Sequence, residues 1–258
     1  MSYALKRKFP LIYKFLKKFE SYVPVSTLLW DKKKYKVNLK IVSMLSLWRS
    51  WPRLKKEAEV VFNMYGGGDF IDVGASQGVY SFLLGPKAKI EDTFILCEPD
   101  PSAKKILFEN LAILKKIFKD INFQFISEPI GDGKVVFKNP TIYGHPVYSA
   151  EKSGTNTLKN KETILQSEKL DNIVKKLNLK PTLVKIDVEG AEFAVLQGMS
   201  DTLKDYKPLV MLEKHPTLLP KNISIDDINN FLKNKDYEVE SVIFRDDIAI
   251  TEVWKNHN

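Results

Sequence analysis

From Tyr65 onward, short apolar runs alternate with segments of helical periodicity, and this alternation constrains the fold more than any other feature of the chain. The runs "DFIDVG", "TFILCEPD", "INFQFISEPIG", "KVVFKN", "TLVKIDVEG" and "PLVMLEKHP" have the length and apolar content of strands, several of them buried on both faces. Between them a short helix is expected around Tyr80 to Leu84. A longer one runs through "SAKKILFENLAILKKIF", with Ile106, Leu107, Leu111, Leu114 and Phe118 as its inward stripe. Further helices are expected near Leu170 to Leu177, through "EFAVLQGMSDTL", and near Ile225 to Asn234. "YEVESVIF" and "IAITEVW" flank the turn "RDD" as a closing hairpin. The expected class is α/β, a doubly wound and mostly parallel sheet. The polar stretch from Pro140 to Lys161 carries few signals of either kind.

The chain has 258 residues, 44% of them hydrophobic, enough to bury a sizeable core in one α/β domain with an appended segment. That segment is distinguished by charge. Residues 1–56 hold 15 Lys or Arg against 2 acidic residues, so the net charge of +8 arises from this segment, and the remainder is acidic. The division expected is a basic, helical N-terminal segment over 1–60 and the α/β domain over 61–258. Within "ALKRKFPLIYKFLKKFESY", Leu5, Phe9, Ile12, Leu16 and Phe19 recur at helical spacing with lysines between them. Such a helix can pack on the main domain with a solvated lysine face, or dock on an anionic membrane through residues 1–56. Nucleic-acid binding ranks third, because no nucleic-acid-reading signature accompanies the basic residues. The single cysteine, Cys97, excludes a disulfide framework and a cysteine-cluster metal site, and lies in an apolar run that reads as core. No apolar stretch approaches the ~20 residues of a membrane span. The location expected is cytoplasmic, with any membrane contact peripheral at the inner face.

In an open parallel sheet, ligands bind outside the carboxyl ends of the strands. Four of the expected strands end in an acid: Asp72, Glu98, Asp187 and Glu213. The first runs into Gly74-Ala75-Ser76-Gln77-Gly78, a turn that bends sharply and lets a ligand approach the backbone. The dinucleotide fingerprint G-x-G-x-x-G, whose glycine pair admits a pyrophosphate, is absent. S-adenosylmethionine has no phosphate but has an amino-acid end and a ribose. An acid beside an open glycine turn, with Glu98 on the next strand to accept ribose hydroxyl protons, suits that cofactor better.

"DVGASQGVYS", "CEPDP", "LVKIDVEGAEFAVLQGM" and "VMLEKHP", in this order, resemble the FkbM-type S-adenosylmethionine-dependent methyltransferases. The resemblance covers roughly residues 65 to 254, and "KIDVEGAE" is its most specific element. It implies a seven-stranded, Rossmann-like methyltransferase sheet whose final hairpin supplies an antiparallel strand. It also implies that Asp72, Gly74, Ser76 and Gly78 line the methionine end, that Glu98 holds the ribose, and that the adenine lies near Pro129 and Ile130. Ser76 departs from the asparagine common in this turn.

Methyl transfer to an alcohol requires the acceptor to lose a proton. Asp187, beside the expected sulfonium, and His215, with Glu213 two residues before it, are the candidate bases. Glu189 and Glu192 read as acids at a helix start, Glu192 above all. His145, in the polar stretch, reads as an exposed bystander. Asp187, Glu213 and His215 are alternatively a ligand set for a divalent cation, to which the sequence does not commit. The function expected is O-methylation of a small or lipid-linked acceptor, a sugar or glycan intermediate leading. Nucleic-acid methylation and a membrane-surface adaptor without catalysis are the alternatives.

Overall fold

The structure, a computed structural model, describes residues 26–30, 33–37, 41–133, 136–137 and 165–258. The stripe from Leu5 to Phe19, His145 and most of the polar stretch lie outside the described residues. The described residues begin with an antiparallel pair, β1 (Ser26–Trp30) and β2 (Lys33–Val37), followed by helix α1 (Ile41–Met64). α1 runs through residue 60, where the basic segment was expected to end, and buries Ala58 and Val61 against the sheet beside Tyr65.

Seven strands form the central sheet. β3 (Asp69–Val73) leads into α2 (Val79–Leu84), β4 (Thr93–Cys97) into α3 (Pro101–Ile117), and β5 (Asn122–Ile126) closes one edge. Two short strands, β6 (Val136–Phe137) and β7 (Leu165–Gln166), pair outside this sheet. Then follow α4 (Leu170–Lys176), β8 (Pro181–Ile186), α5 (Glu192–Gly198), α6 (Ser200–Tyr206), β9 (Leu209–Lys214) and α7 (Ile225–Lys233). The hairpin β10 (Tyr237–Arg245) and β11 (Ile250–Asn256) ends the chain. The order across the sheet is β10-β11-β9-β8-β3-β4-β5, parallel except for β11, which runs antiparallel to both neighbours. The doubly wound sheet with a closing hairpin is therefore as the sequence indicated.

The segment "EFAVLQGMSDTL" folds as two helices rather than one, parting at Met199, which serves as C-cap of α5 and N-cap of α6. The stripe of α3 is buried at Leu107, Leu111 and Leu114, while Ile106 and Phe118 are half-buried.

Strand pleating sends alternate side chains to two cores. Phe70, Phe94 and Phe123 point to the α1 face, where their rings meet edge to face at 5.2 and 5.6 Å. Contacts of this kind are worth ~0.5–1.5 kcal/mol each beyond area burial. Ile71, Ile95, Val184 and Val210 point to the other face, against α4 to α7. Near the carboxyl ends the α1 face turns polar: Asp72 is in register with Lys185 and Glu213 with Thr251, and α1 lies over this row.

Candidate active site

The switch point of the sheet lies between β3 and β8, where the crossovers change direction. The turn after β3 is held to the neighbouring strands by backbone: Gly74 and Ala75 donate to the Cys97 carbonyl, and Asp187 donates to the Val73 carbonyl. Gly74 has φ +83°, and a Cβ there would lie on the Asp187 carbonyl oxygen. Its glycine is thus demanded by the close approach of β8, whereas the sequence pointed to room for a ligand. Gly78, at φ +74°, caps α2, and a Cβ there would press on Leu107 and Leu96 in the core.

A cleft opens beside this turn. Its lining follows the order of the strands: Asp187 after β8, Val73 ending β3 with Gly74 and Ser76 after it, then Glu98 and Asp100 after β4, then Pro129 and Ile130 after β5. Glu98 lines it with only 7% of its surface exposed. One of its oxygens accepts from the backbone N–H of Ser76 (2.8 Å), the other from that of Asp100 (2.8 Å). Each oxygen has two lone pairs, so each retains one for a ligand hydroxyl. Burial pushes the Glu98 carboxyl up to about 7 against the pull of these two backbone bonds. Ser76 reaches the site through its backbone N–H, at a left-handed φ of 49°. The chemistry this cleft can serve is recognition of a diol at its centre, with a small apolar shelf at Ile130 and a carboxylate, Asp187, at the far end.

Asp72 is absent from the cleft wall. It is fully buried behind the turn, where it accepts from Lys185 Nζ at 3.0 Å, and its second oxygen has no partner. Burial raises the Asp72 pKa and the lysine opposes that rise. Lys185 Nζ also donates to the Gly74 carbonyl (3.3 Å) and stands 3.7 Å from Asp187 Oδ2. Asp72 therefore acts on the cleft through Lys185, which bridges it to the turn and to Asp187. Cys97 lines the cleft as a buried thiol whose pKa burial drives far up, an inert wall.

Asp187, Glu213 and His215 come together at the carboxyl ends of β8 and β9. His215 Nε2 lies 3.5 Å from Glu213 Oε1 and 3.9 Å from Asp187 Oδ1. Its Nδ1 donates to Glu192 at 2.7 Å. Glu192 is wholly buried and also accepts from the Gly190 N–H (2.9 Å). The expected helix-end acid is thus the partner that orients the histidine. Burial alone would lower the His215 pKa, but the hydrogen bonds with Glu192 and Glu213 and the charge of Asp187 push it up to about 11. Burial and the Glu213 charge raise Asp187 above the usual carboxylate range. Glu213 is held below that range, because the bonds from His215 and Arg53 outweigh its burial. Glu189 joins Asp187 in the cleft wall, and burial together with Asp187 pushes it up to about 7.

The other side of the cluster is built by residues the sequence reading did not single out. Arg53 of α1 contacts Glu213 at 2.6 Å and Glu57 at 2.7 Å. Glu57 in turn accepts from Tyr80 (3.1 Å) and Thr251 (3.1 Å). Asp187, Glu213 and His215 each offer one ligand atom within 4.8 Å of the others, a spacing that could hold a metal ion.

A seven-stranded sheet with the reversed β11 and a strand-end acidic cleft at the switch point is a doubly wound α/β architecture with its ligand cleft in the place such sheets provide. The family model of the methyltransferase FkbM domain matches residues 72–239, and the chain belongs to that family. Among curated proteins it is 25% identical over 155 residues to the hexuronic acid methyltransferase AglP of Haloferax volcanii, covering 59% of this chain and 58% of AglP. Among solved structures it resembles Trm5b from Pyrococcus abyssi, with 15% identity and a TM-score of 0.50 over 90% of this chain and 56% of that one. Methyltransferase FkbM from Methylobacillus flagellatus KT has 16% identity and a TM-score of 0.49, over 73% of this chain and 44% of that one. The chain thus spans less than two thirds of each of these relatives.

Proposed function

We propose that the protein is an S-adenosylmethionine-dependent O-methyltransferase acting on a hydroxyl of a sugar or glycan intermediate. The observation that carries this reading is the setting of Glu98, a buried carboxylate fixed by two backbone N–H groups at the centre of a cleft with Asp187 at one end and Ile130 at the other. Glu98 would hold the ribose hydroxyls, the turn from Gly74 to Ser76 with Asp187 the methionine end, and Pro129 with Ile130 the adenine. Asp72 and Gly78 would support the turn from behind. When bound, the cofactor supplies an electrophilic methyl group on a neutral leaving group. The protein's task is then to position the acceptor and take its proton, and positioning supplies much of the rate.

His215, Glu213 and Asp187 are the residues proposed for the acceptor side. With His215 carrying a proton at neutral pH, the acceptor proton would pass to Asp187, at the cleft wall, while the imidazolium offsets the charge of the surrounding carboxylates. Of the two candidate bases read from the sequence, Asp187 and His215, this favours Asp187. Sugar as acceptor rests on AglP, whose substrate is a hexuronic acid.

A divalent cation on Asp187, Glu213 and His215 is the second reading, favoured by the 4.8 Å spacing of their ligand atoms and opposed by Arg53, which occupies a Glu213 oxygen. Peripheral membrane contact through residues 1–56 remains a proposal resting on charge. Among the described residues no helix is long and apolar enough to cross a membrane.

The test is transfer of labelled methyl from S-adenosylmethionine to a panel of hexuronic-acid glycosides, neutral hexose glycosides and RNA, with and without chelator. Label in a glycoside supports the reading. Label only in RNA replaces it with nucleic-acid methylation, cofactor binding without transfer to any acceptor favours the non-catalytic adaptor, and loss of transfer with chelator that returns with a divalent cation favours the metal.

A further inference from the structure

We infer that Arg53, carried on α1 ahead of the family domain, is a positioning residue of the active site: its guanidinium fixes the Glu213 carboxylate against His215. The inference rests on the reading above in one respect, that His215 and Glu213 face the acceptor.

Arg53 is locked from several sides. Nε donates to Glu57 Oε1 at 2.7 Å, Nη2 meets Glu213 Oε1 at 2.6 Å and Thr251 Oγ1 at 3.0 Å, and the guanidinium lies 4.0 Å from the centre of the Phe244 ring. The flat fork, which meets two carboxylates and a hydroxyl in fixed directions, is a property that a lysine lacks. Glu57, which holds Nε, is itself fixed by Tyr80 and Thr251, so the guanidinium is oriented before it meets Glu213.

The oxygen that Arg53 grips is the one nearest His215. Glu213 Oε1 is 2.6 Å from Nη2 and 3.5 Å from His215 Nε2, so the two cations share it. Without Arg53, Glu213 would have His215 as its only cationic contact among the described residues. Its carboxylate would be free to rotate onto the ring and shorten the 3.5 Å separation. Two carboxylates converge on Arg53, and one of them, Glu213, belongs to the cluster at the ends of β8 and β9. α1 would therefore be part of the working site.

The test uses the full chain labelled in its histidine rings, with His215 N–H protons identified by their loss in His215→Gln. In Arg53→Met the His215 ring signals should shift while S-adenosylmethionine affinity changes by less than roughly threefold, a difference under ~0.7 kcal/mol. Arg53→Lys, which keeps charge without the fork, should shift them less. In a Glu213→Gln background the same Arg53 substitutions should produce no further shift, because the effect passes through Glu213. Unmoved His215 signals in folded Arg53→Met protein, or in Arg53→Lys protein should the Met variant fail to fold, with only a lower melting temperature, would make Arg53 a purely structural anchor. A shift that persists at full size in the Glu213→Gln background would also overturn the inference. Should the wild-type chain not bind the cofactor at all, the proposed function fails, and the ring signals still decide whether Arg53 positions Glu213.

Discussion

His215 Nδ1 and Glu192 Oε1 lie 2.7 Å apart, and the glutamate is wholly buried, so the imidazole is held in one orientation by an acid from the start of α5. Nδ1 is thereby committed to Glu192, and Nε2 is the nitrogen turned toward Asp187 and Glu213.

Replacing Glu192 with Gln keeps the shape and removes the charge. The imidazolium then loses its best partner, so the His215 pKa should fall from about 11 toward the ordinary histidine value. Titration of the His215 ring by NMR checks this. An unchanged midpoint in Glu192→Gln would mean that Asp187 and Glu213 alone hold the proton.

The pH dependence of cofactor affinity should report Glu98. Its carboxyl is pushed up to about 7 by burial, so below that pH the empty site is increasingly neutral and cannot accept two hydroxyl protons as an anion can. Affinity for S-adenosylmethionine should rise with pH up to about 7 and level off above it. Calorimetry across this range is the measurement, and affinity that stays flat on the acid side would remove Glu98 from the site.

Gly198, at the end of α5, separates packing from propensity. Alanine in a helix ordinarily gains ~1 kcal/mol over glycine. Here a Cβ would lie on the carbonyl oxygen of Gly131, the residue after Ile130. Gly198→Ala should therefore melt below the wild type and weaken cofactor binding through the displaced Ile130 end of the cleft. A raised melting temperature would contradict the packing seen at this contact.

The strands were legible because a sheet buried on both faces needs unbroken apolar runs, and the acids at their ends stand out against such runs. Lys185 carried a signal that went unused: a lysine inside "TLVKID" must find a buried anion, and parallel register places Asp72 opposite it. Glu192 is the helix-start acid that the sequence indicated, and its further role toward His215 was hidden because the histidine lies just past the end of β9, the next strand. Arg53 and Glu57 gave no signal at all. Their partners, Glu213 and Thr251, are distant in sequence and meet them only once α1 lies across the sheet. The break at Met199 was likewise hidden, since the apolar pattern of "EFAVLQGMSDTL" continues through it.

The most direct test of the account is a calorimetric titration of S-adenosylmethionine into the full-length chain and into Glu98→Ala. One site per chain is expected, weakened in the variant by about 1.5–3 kcal/mol, the scale of a hydrogen bond to a charged group, while the fold is retained. No binding to the wild type, or equal binding to both, would contradict it.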